Sequence, residues 1–337
     1  MSRPSYRPSV MSRLLVSTLT VLGLSLLAAA PSYSAAPYPS KGITLICPYA
    51  PGGSSDLAAR PVANYLQKKW GQPVSVVNKI GASGTTGTLE ALQSAPDGYT
   101  LYVTGSTNGS INPALERDLP YKWDQPTSLG RIAVNPVAVI VKSDSKWQSV
   151  KELLDDIAKN PKKFKLGTSA PAGPSTLSFG QLMDGAGIDI TQPIRVVFQG
   201  GAAAVTAVAG GHVDFASQGI SEVLSMVEAG KIRALLVSSL ERASQLPNVP
   251  TGKEAGVPWF TWVGYTGIQG PAGLPEPIVK KWAEDLKMAL QDKEVTNVMH
   301  QLGALPAYQA GPDFKAFLKG DYELSVRLIN KLGLAAK

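Results

Sequence analysis

From residue 43 onward, short apolar runs alternate with turns rich in Gly, Ser, Thr and Pro and with amphipathic stretches. Ile43-Thr44-Leu45-Ile46-Cys47 reads as a strand. A turn over Pro48–Ser54 follows, then a helix to about Lys69 that Ser55 or Asp56 can cap. Pro61 falls inside that helix and predicts a kink or a later start. Val74–Val77, Tyr99–Thr104, Lys165–Thr168, Ile194–Phe198, Val213–Ala216 and Ile232–Val237 read as further strands, and Thr85–Ser94 as a helix. Strands alternating with helices predict an α/β fold with parallel sheets and crossover helices. Two stretches break the rhythm: Arg131–Val141 (RIAVNPVAVIV) and the aromatic Pro258–Gln269 (PWFTWVGYTGIQ). A long strand passing between two lobes has this look. If both cross, the segment between them forms one lobe, and the N-terminal segment with the C-terminal helices forms the other.

The first 36 residues follow another pattern. Met1–Arg13 carries three arginines and no acid, Leu14–Ala30 is uncharged and apolar, and small residues follow through Ala36. This is the order of a secretory signal peptide. We assign it to residues 1–35, with cleavage near Ser34–Ala36 and periplasmic export of the remainder. An uncleaved anchor is the alternative, but the run is short for a span and contains Ser17, Thr18, Thr20 and Ser25. No cysteine ends the run, which argues against a lipoprotein; a start at Met11 would only shorten the basic region.

Composition narrows the chemistry. A chain of 337 residues fits two domains. One cysteine, Cys47, excludes an intrachain disulfide and a multi-thiolate metal site, and two histidines exclude a histidine-rich one. The formal charge of +7 includes Arg3, Arg7 and Arg13 of the leader and is +4 without them. The remaining basic residues are interspersed with acids, so no nucleic-acid footprint appears. No cofactor or metal is expected.

Five strand-end turns are small and polar: Tyr49–Ser55, Gly81–Thr85, Ser106–Gly109, Ser169–Thr176 and Gln199–Ala202. In a parallel α/β sheet such turns lie at the carboxyl ends of strands, where ligands bind, and lead into helix N-termini that favour anions. None of the five contains Lys or Arg. The implied site is a neutral cage of backbone N–H and hydroxyl donors for a carboxylate; any one turn alone reads more readily as ordinary βα chemistry, and it is the five together that bring the ligand reading level with it. Phosphate-loop, dinucleotide-fingerprint and G-x-S-x-G patterns are absent. His212 and His300 read as surface or structural residues, and Cys47 as a small core residue. Asp56 reads as a helix cap, or as an organiser of the first turn. Trp262 and Tyr265 read as core, or as a wall against an apolar ligand body.

The turn Pro48-Tyr49-Ala50-Pro51-Gly52-Gly53-Ser54-Ser55-Asp56 is similar to the P-[FY]-x-x-G-G-x-x-D turn of the Bug/TctC family, the extracytoplasmic solute-binding proteins of tripartite tricarboxylate transporters. Asn78–Gly84, Asp97–Leu101, Asn112–Leu115, Gly210–Asp214, Leu246–Thr251, Glu254–Pro258, Trp262–Gly264 and Gly270–Pro275 resemble later family segments in the same order. The resemblance implies a two-lobed periplasmic-binding-protein (Venus flytrap) fold with two crossing strands. Lobe 1 would be 36–135 with 265–337, and lobe 2 would be 136–264. It implies a carboxylate (a dicarboxylate, tricarboxylate, amino acid or aromatic acid) in the interlobe cleft and docking to membrane subunits of the transporter, although many members have no neighbouring transporter gene. A monomer that is not an enzyme and binds no nucleic acid is expected. Turns and resemblance together nominate Tyr49, Gly53, Ser54, Ser55, Asp56, Ser83, Gly84, Thr85, Thr107, Asn108, Ser169, Ser175, Thr176, Gln199, Gly200 and Tyr265 as ligand-binding residues. The chain departs from the family at Gly167–Ser178, where a histidine-bearing turn is usual, and at Gly109-Ser110, where another histidine is often seen. An exported serine-dependent hydrolase and a ligand-sensing ectodomain that signals to a membrane partner are the competing readings.

Overall fold

The computed structural model describes residues 37–335, so the expected signal peptide lies outside the described residues. The elements run β1 (Ile43–Cys47), α1 (Ser54–Trp70), β2 (Val74–Asn78), α2 (Thr85–Leu92), β3 (Thr100–Gly105), α3 (Asn112–Leu115), β4 (Thr127–Lys142), α4 (Val150–Lys159), β5 (Lys165–Thr168), α5 (Pro174–Gly185), β6 (Ile194–Val197), α6 (Gly201–Ala209), β7 (Phe215–Gly219), α7 (Ile220–Glu228), β8 (Ile232–Val237), β9 (Val263–Gly270), α8 (Glu276–Ala289), α9 (Lys293–Gln301), β10 (Leu305–Ala310) and α10 (Gly311–Lys331).

Local chemistry explains several of these elements. In α4, Val150, Leu153, Leu154 and Ile157 repeat at helical spacing and are buried, while the Ser149 hydroxyl accepts the Glu152 N–H at 3.2 Å as N-cap. Helix α1 ends at Gly71 in the left-handed region, φ 64°, with the Gly71 N–H returned to the Gln67 carbonyl. Pro61 does not delay the start of α1. It is buried eight positions into a helix that begins at Ser54, and the N-cap is Gly53 rather than Ser55 or Asp56. The missing N–H leaves the Leu57 carbonyl without its helical donor.

Strand β4 organises the molecule. Its first part, Thr127–Pro136, pairs antiparallel with β9, and Gly130–Val134 also pairs with β10. Its second part, Val137–Lys142, pairs antiparallel with β7 and β8. On one side of this junction the order is β2-β1-β3-β9-β4, with β1 parallel to β2 and β3. On the other side it is β4-β7-β5-β6, with β5 parallel to β6 and β7. The expected crossing of Arg131–Val141 is thus a single strand shared by two sheets. The second connection differs in form. Strand β9 begins only at Val263, opposite Pro136, and pairs with β3 and β4 alone. The preceding aromatic segment is irregular chain anchored by Phe260 and Trp262 in the hydrophobic core of the second sheet. Pro136 has no N–H to extend the ladder, and Pro258 lacks one too.

That core gathers Trp147, Leu153, Phe179, Leu182 and Phe215, with Phe179 and Phe215 stacked at 4.7 Å. Helix α10 reaches both cores: Phe314 and Leu318 cluster with Tyr265, whereas Leu328 and Ile329 join Phe179. Cys47 is fully buried, and burial pushes its thiol up to about 11, so it is an inert core residue. Among the described residues, no helix is long and apolar enough to cross a membrane.

Candidate functional site

The parallel strands β1, β3, β5 and β7 all point their carboxyl ends toward the junction crossed by β4. A cavity of about 730 Å³ opens there. Tyr49, Gly52, Gly53, Ser54 and Ser55 line it after β1, and Gly105, Ser106 and Thr107 at and after the end of β3. Ser169, Pro174 and Ser175 line it after β5, Ser217, Gln218 and Gly219 at the end of β7, and Glu222 in the first turn of α7. Asn135 and Val137 of β4 and Gly264 and Tyr265 of β9 stand at its base. This is the position at which open α/β sheets bind ligands.

The first turn is held from behind. Asp56 is buried and does not line the cavity. Its Oδ2 accepts the Gly52 N–H at 3.0 Å and Arg60 Nε at 2.9 Å; its Oδ1 accepts Arg60 Nη2 at 2.7 Å and Asn78 Nδ2 at 2.9 Å. Burial alone would raise its carboxyl, but bonds from Arg60, Gly52 and Asn78 outweigh it and hold the group below its ordinary value. Of its two readings the geometry fits the organiser, because the acid ties the turn to β2 through Asn78. The left-handed position in the turn is Gly52, φ 78°, whereas Gly53 has an ordinary φ of −71°. A side chain at Gly53 would meet the Ala50 carbonyl at 3.2 Å, a close approach without backbone strain.

Tyr49 is positioned by the third turn. Its hydroxyl donates to Asn108 Oδ1 at 2.5 Å, and the same oxygen accepts the Gly105 N–H at 2.8 Å. Asn108 Nδ2 donates to Thr88 Oγ1 at 2.8 Å, so Asn108 is a buried bracket rather than a lining residue. Burial, above all, raises the Tyr49 phenol and keeps it a neutral donor.

The second turn stands one layer back. Gly84 packs behind the Tyr49 ring, and Asn112 Nδ2 reaches the Ser83 carbonyl at 3.1 Å and Thr85 Oγ1 at 3.3 Å. Ala82 and Ser83 adopt φ of 44° and 52°, a strained conformation for residues with a Cβ. Ser83, Gly84 and Thr85 therefore do not line this cavity.

On the opposite wall, Ser175 Oγ accepts the Ser169 N–H at 2.9 Å and meets Ser169 Oγ at 2.9 Å, which fixes both hydroxyls at the mouth of α5. Thr176 is turned inward, its hydroxyl donating to the Ala170 carbonyl at 2.6 Å. Gln199 and Gly200 are exposed and off the cavity; Ala202, the second residue of α6, lines it instead. Tyr265 reaches the cavity, but its ring packs edge-on to Phe314 and Phe317 and its hydroxyl meets Ser110 at 2.7 Å. Trp262 is core, 2% exposed.

Ser106, Gln218, Asn135 and Glu222 also line the cavity and lie outside the residues that the turns and the resemblance nominate. Ser106 lies in a turn already singled out. Ser217-Gln218-Gly219 is a further small polar run just before a helix; the apolar pattern predicts a strand that stops at Ala216, whereas β7 spans Phe215–Gly219 and carries the run itself. Ser106 Oγ and Gln218 Nε2 are buried without a protein partner, two polar groups that a ligand can satisfy. Among the described residues that line the cavity there is no Lys, Arg or His, and Glu222 is the single acid.

The profile described as "Tripartite tricarboxylate transporter family receptor", TctC, matches residues 58–334. The chain belongs to the TctC family. Protein BugT of Bordetella pertussis is 29% identical over 325 residues, covering 95% of this chain and 98% of that protein. MatC of Rhodopseudomonas palustris, solved with bound malate, superposes with a TM-score of 0.71 at 27% identity, covering 87% and 100% of the two chains. A second R. palustris protein, solved with adipate, superposes with a TM-score of 0.75 at 25% identity, covering 88% and 99%. The two-lobed α/β architecture is that of periplasmic binding proteins, BugD among them (TM-score 0.71, 28% identity, covering 89% and 100% of the two chains), and family and fold are those of solute-binding proteins rather than enzymes. Within this TctC-family frame, the far-wall turn of Ser169–Ser175 presents paired serines and no histidine.

Proposed function

We propose that the chain captures a small carboxylate in the cleft between two lobes, residues 36–135 with 265–337 and residues 136–264, and delivers it to membrane subunits of a tripartite tricarboxylate-type transporter. Export through cleavage of the 1–35 leader and action as a periplasmic monomer complete this reading. The observation that carries it is the lining: Tyr49, Ser54, Ser55, Thr107, Ser169 and Ser175 converge from two sheets on one cavity without any cationic side chain. Backbone N–H groups and hydroxyls at the starts of α1 and α5 offer a carboxylate charge-assisted hydrogen bonds in a partly dehydrated site. Asp56 and Asn108 hold the near wall rigid and are positioning residues. Nothing in the cavity resembles a nucleophile with its base, since both histidines are exposed and away from it. The malate and adipate of the two R. palustris relatives support the ligand class. The test is mass spectrometry of small molecules released when the purified protein is denatured. A carboxylic acid is expected; recovery of a ligand without an acid group would refute the reading.

A further inference from the structure

Among the described residues, the only formal charge lining the cavity is negative. Glu222 stands in the first turn of α7, and its Oε2 accepts the Gly219 N–H at 3.1 Å. Its carboxylate lies against the first residue of α6: a Cβ at Gly201 would collide with both oxygens. The acid is therefore seated between the N-terminal ends of two helices, whose dipoles favour its charge. The side chain is exposed to the cleft; partial desolvation there raises the carboxyl, and the Gly219 N–H opposes this. Beside it in the same lining is Gln218, 3% exposed, with an Nε2 that has no protein partner.

A dicarboxylate in this cavity would bring two negative charges to a wall that already carries one and has no cation to offset it. Like charges in a partly desolvated cleft repel strongly, whereas a cationic nitrogen beside a carboxylate gains a charge-assisted bond. We infer that Glu222 sets specificity: the ligand is a zwitterion whose carboxylate is held by the neutral turns and whose protonated nitrogen faces Glu222, and dicarboxylates such as malate and adipate are disfavoured. This rests on the carboxylate reading above and narrows it.

Matched pairs test it. Calorimetric titration compares adipate with 6-aminohexanoate and succinate with 4-aminobutanoate, each pair differing in one end group. The amino member should bind more tightly by about tenfold or more. Glu222→Gln keeps an acceptor for the Gly219 N–H and removes the charge, and it should erase or invert that preference. Gly201→Ala, whose Cβ displaces the carboxylate, should narrow it as well, and thermal unfolding without ligand confirms that each variant is folded. Equal or better binding of the diacids, with a ratio unmoved by both variants, would overturn the inference and leave the carboxylate reading standing. Binding of no member of either pair would overturn the inference, while the carboxylate reading stands or falls on the small molecule released from the denatured protein.

Discussion

Asp56→Asn isolates the device that holds the first turn. The wild-type carboxylate accepts four donors, two on each oxygen, at 2.7 to 3.0 Å. An amide has one oxygen and one NH₂, so in either orientation two of these donors face a third. Hydrogen bonds to a charged group are worth about 1.5–3 kcal/mol each. Arg60 is half exposed and Gly52 is exposed, so water recovers part of what they lose. The net loss should be about 2–3 kcal/mol, or roughly 3–6 °C in Tm for a chain of this size. The pH dependence has a definite sign. The folded carboxyl titrates below its ordinary value of 3.8, so its stabilisation is fully present above that value and is lost as pH falls through the lower folded value. The gap between wild type and variant should therefore be constant from neutral pH to about 5 and close at lower pH. Urea unfolding of both proteins across that range measures it. A variant within about 0.5 kcal/mol of wild type at pH 7 would refute the claim that this carboxylate braces the turn.

Three further outcomes follow from the same structure. Gly53→Val should abolish binding of the released carboxylate while costing only about 1 kcal/mol of stability, because Gly53 has an ordinary φ and a single 3.2 Å contact; calorimetry paired with thermal unfolding separates the two, and normal affinity would remove the turn from the site. Asp321 is buried and burial pushes its carboxyl up to about 7, so its ionisation between 3.8 and that value makes stability fall as pH rises; Asp321→Asn should gain about 2–4 kcal/mol at pH 8 and little at pH 4, and unfolding at those two pH values checks it. Two sheets joined through β4 and one irregular segment should hinge on binding, so small-angle scattering should show a smaller radius of gyration with ligand than without, and an unchanged radius would count against closure.

Local patterns carried much of this molecule. Short apolar runs between glycine-rich turns marked most parallel strands within a residue or two; burial on both faces demands continuous apolar side chains in the central β1 and β3, and the edge strands β2 and β6 keep β-branched residues even where they are exposed. The polar strand-end turns were legible for the same reason: Gly, Ser and Thr at helix starts answer to short-range geometry. Boundaries without a local signal were not legible. Strand β7 runs on through Ser217-Gln218-Gly219 because β4 pairs with it there, Val139 opposite Ser217 and Val137 opposite Gly219. The same limit applied to the site. All five turns looked alike in sequence, yet the Gly81–Thr85 turn packs behind Tyr49 while the turns after β1, β3 and β5 face the cavity. Asp56 points inward to Arg60 and Asn78, and Glu222 outward into the cleft, although both are acids in the first turn of a helix. Which of two similar residues meets a ligand depends on which strand ends are brought together. That is decided by long-range pairing on a shared strand, where the partners lie up to about 180 residues apart in the chain.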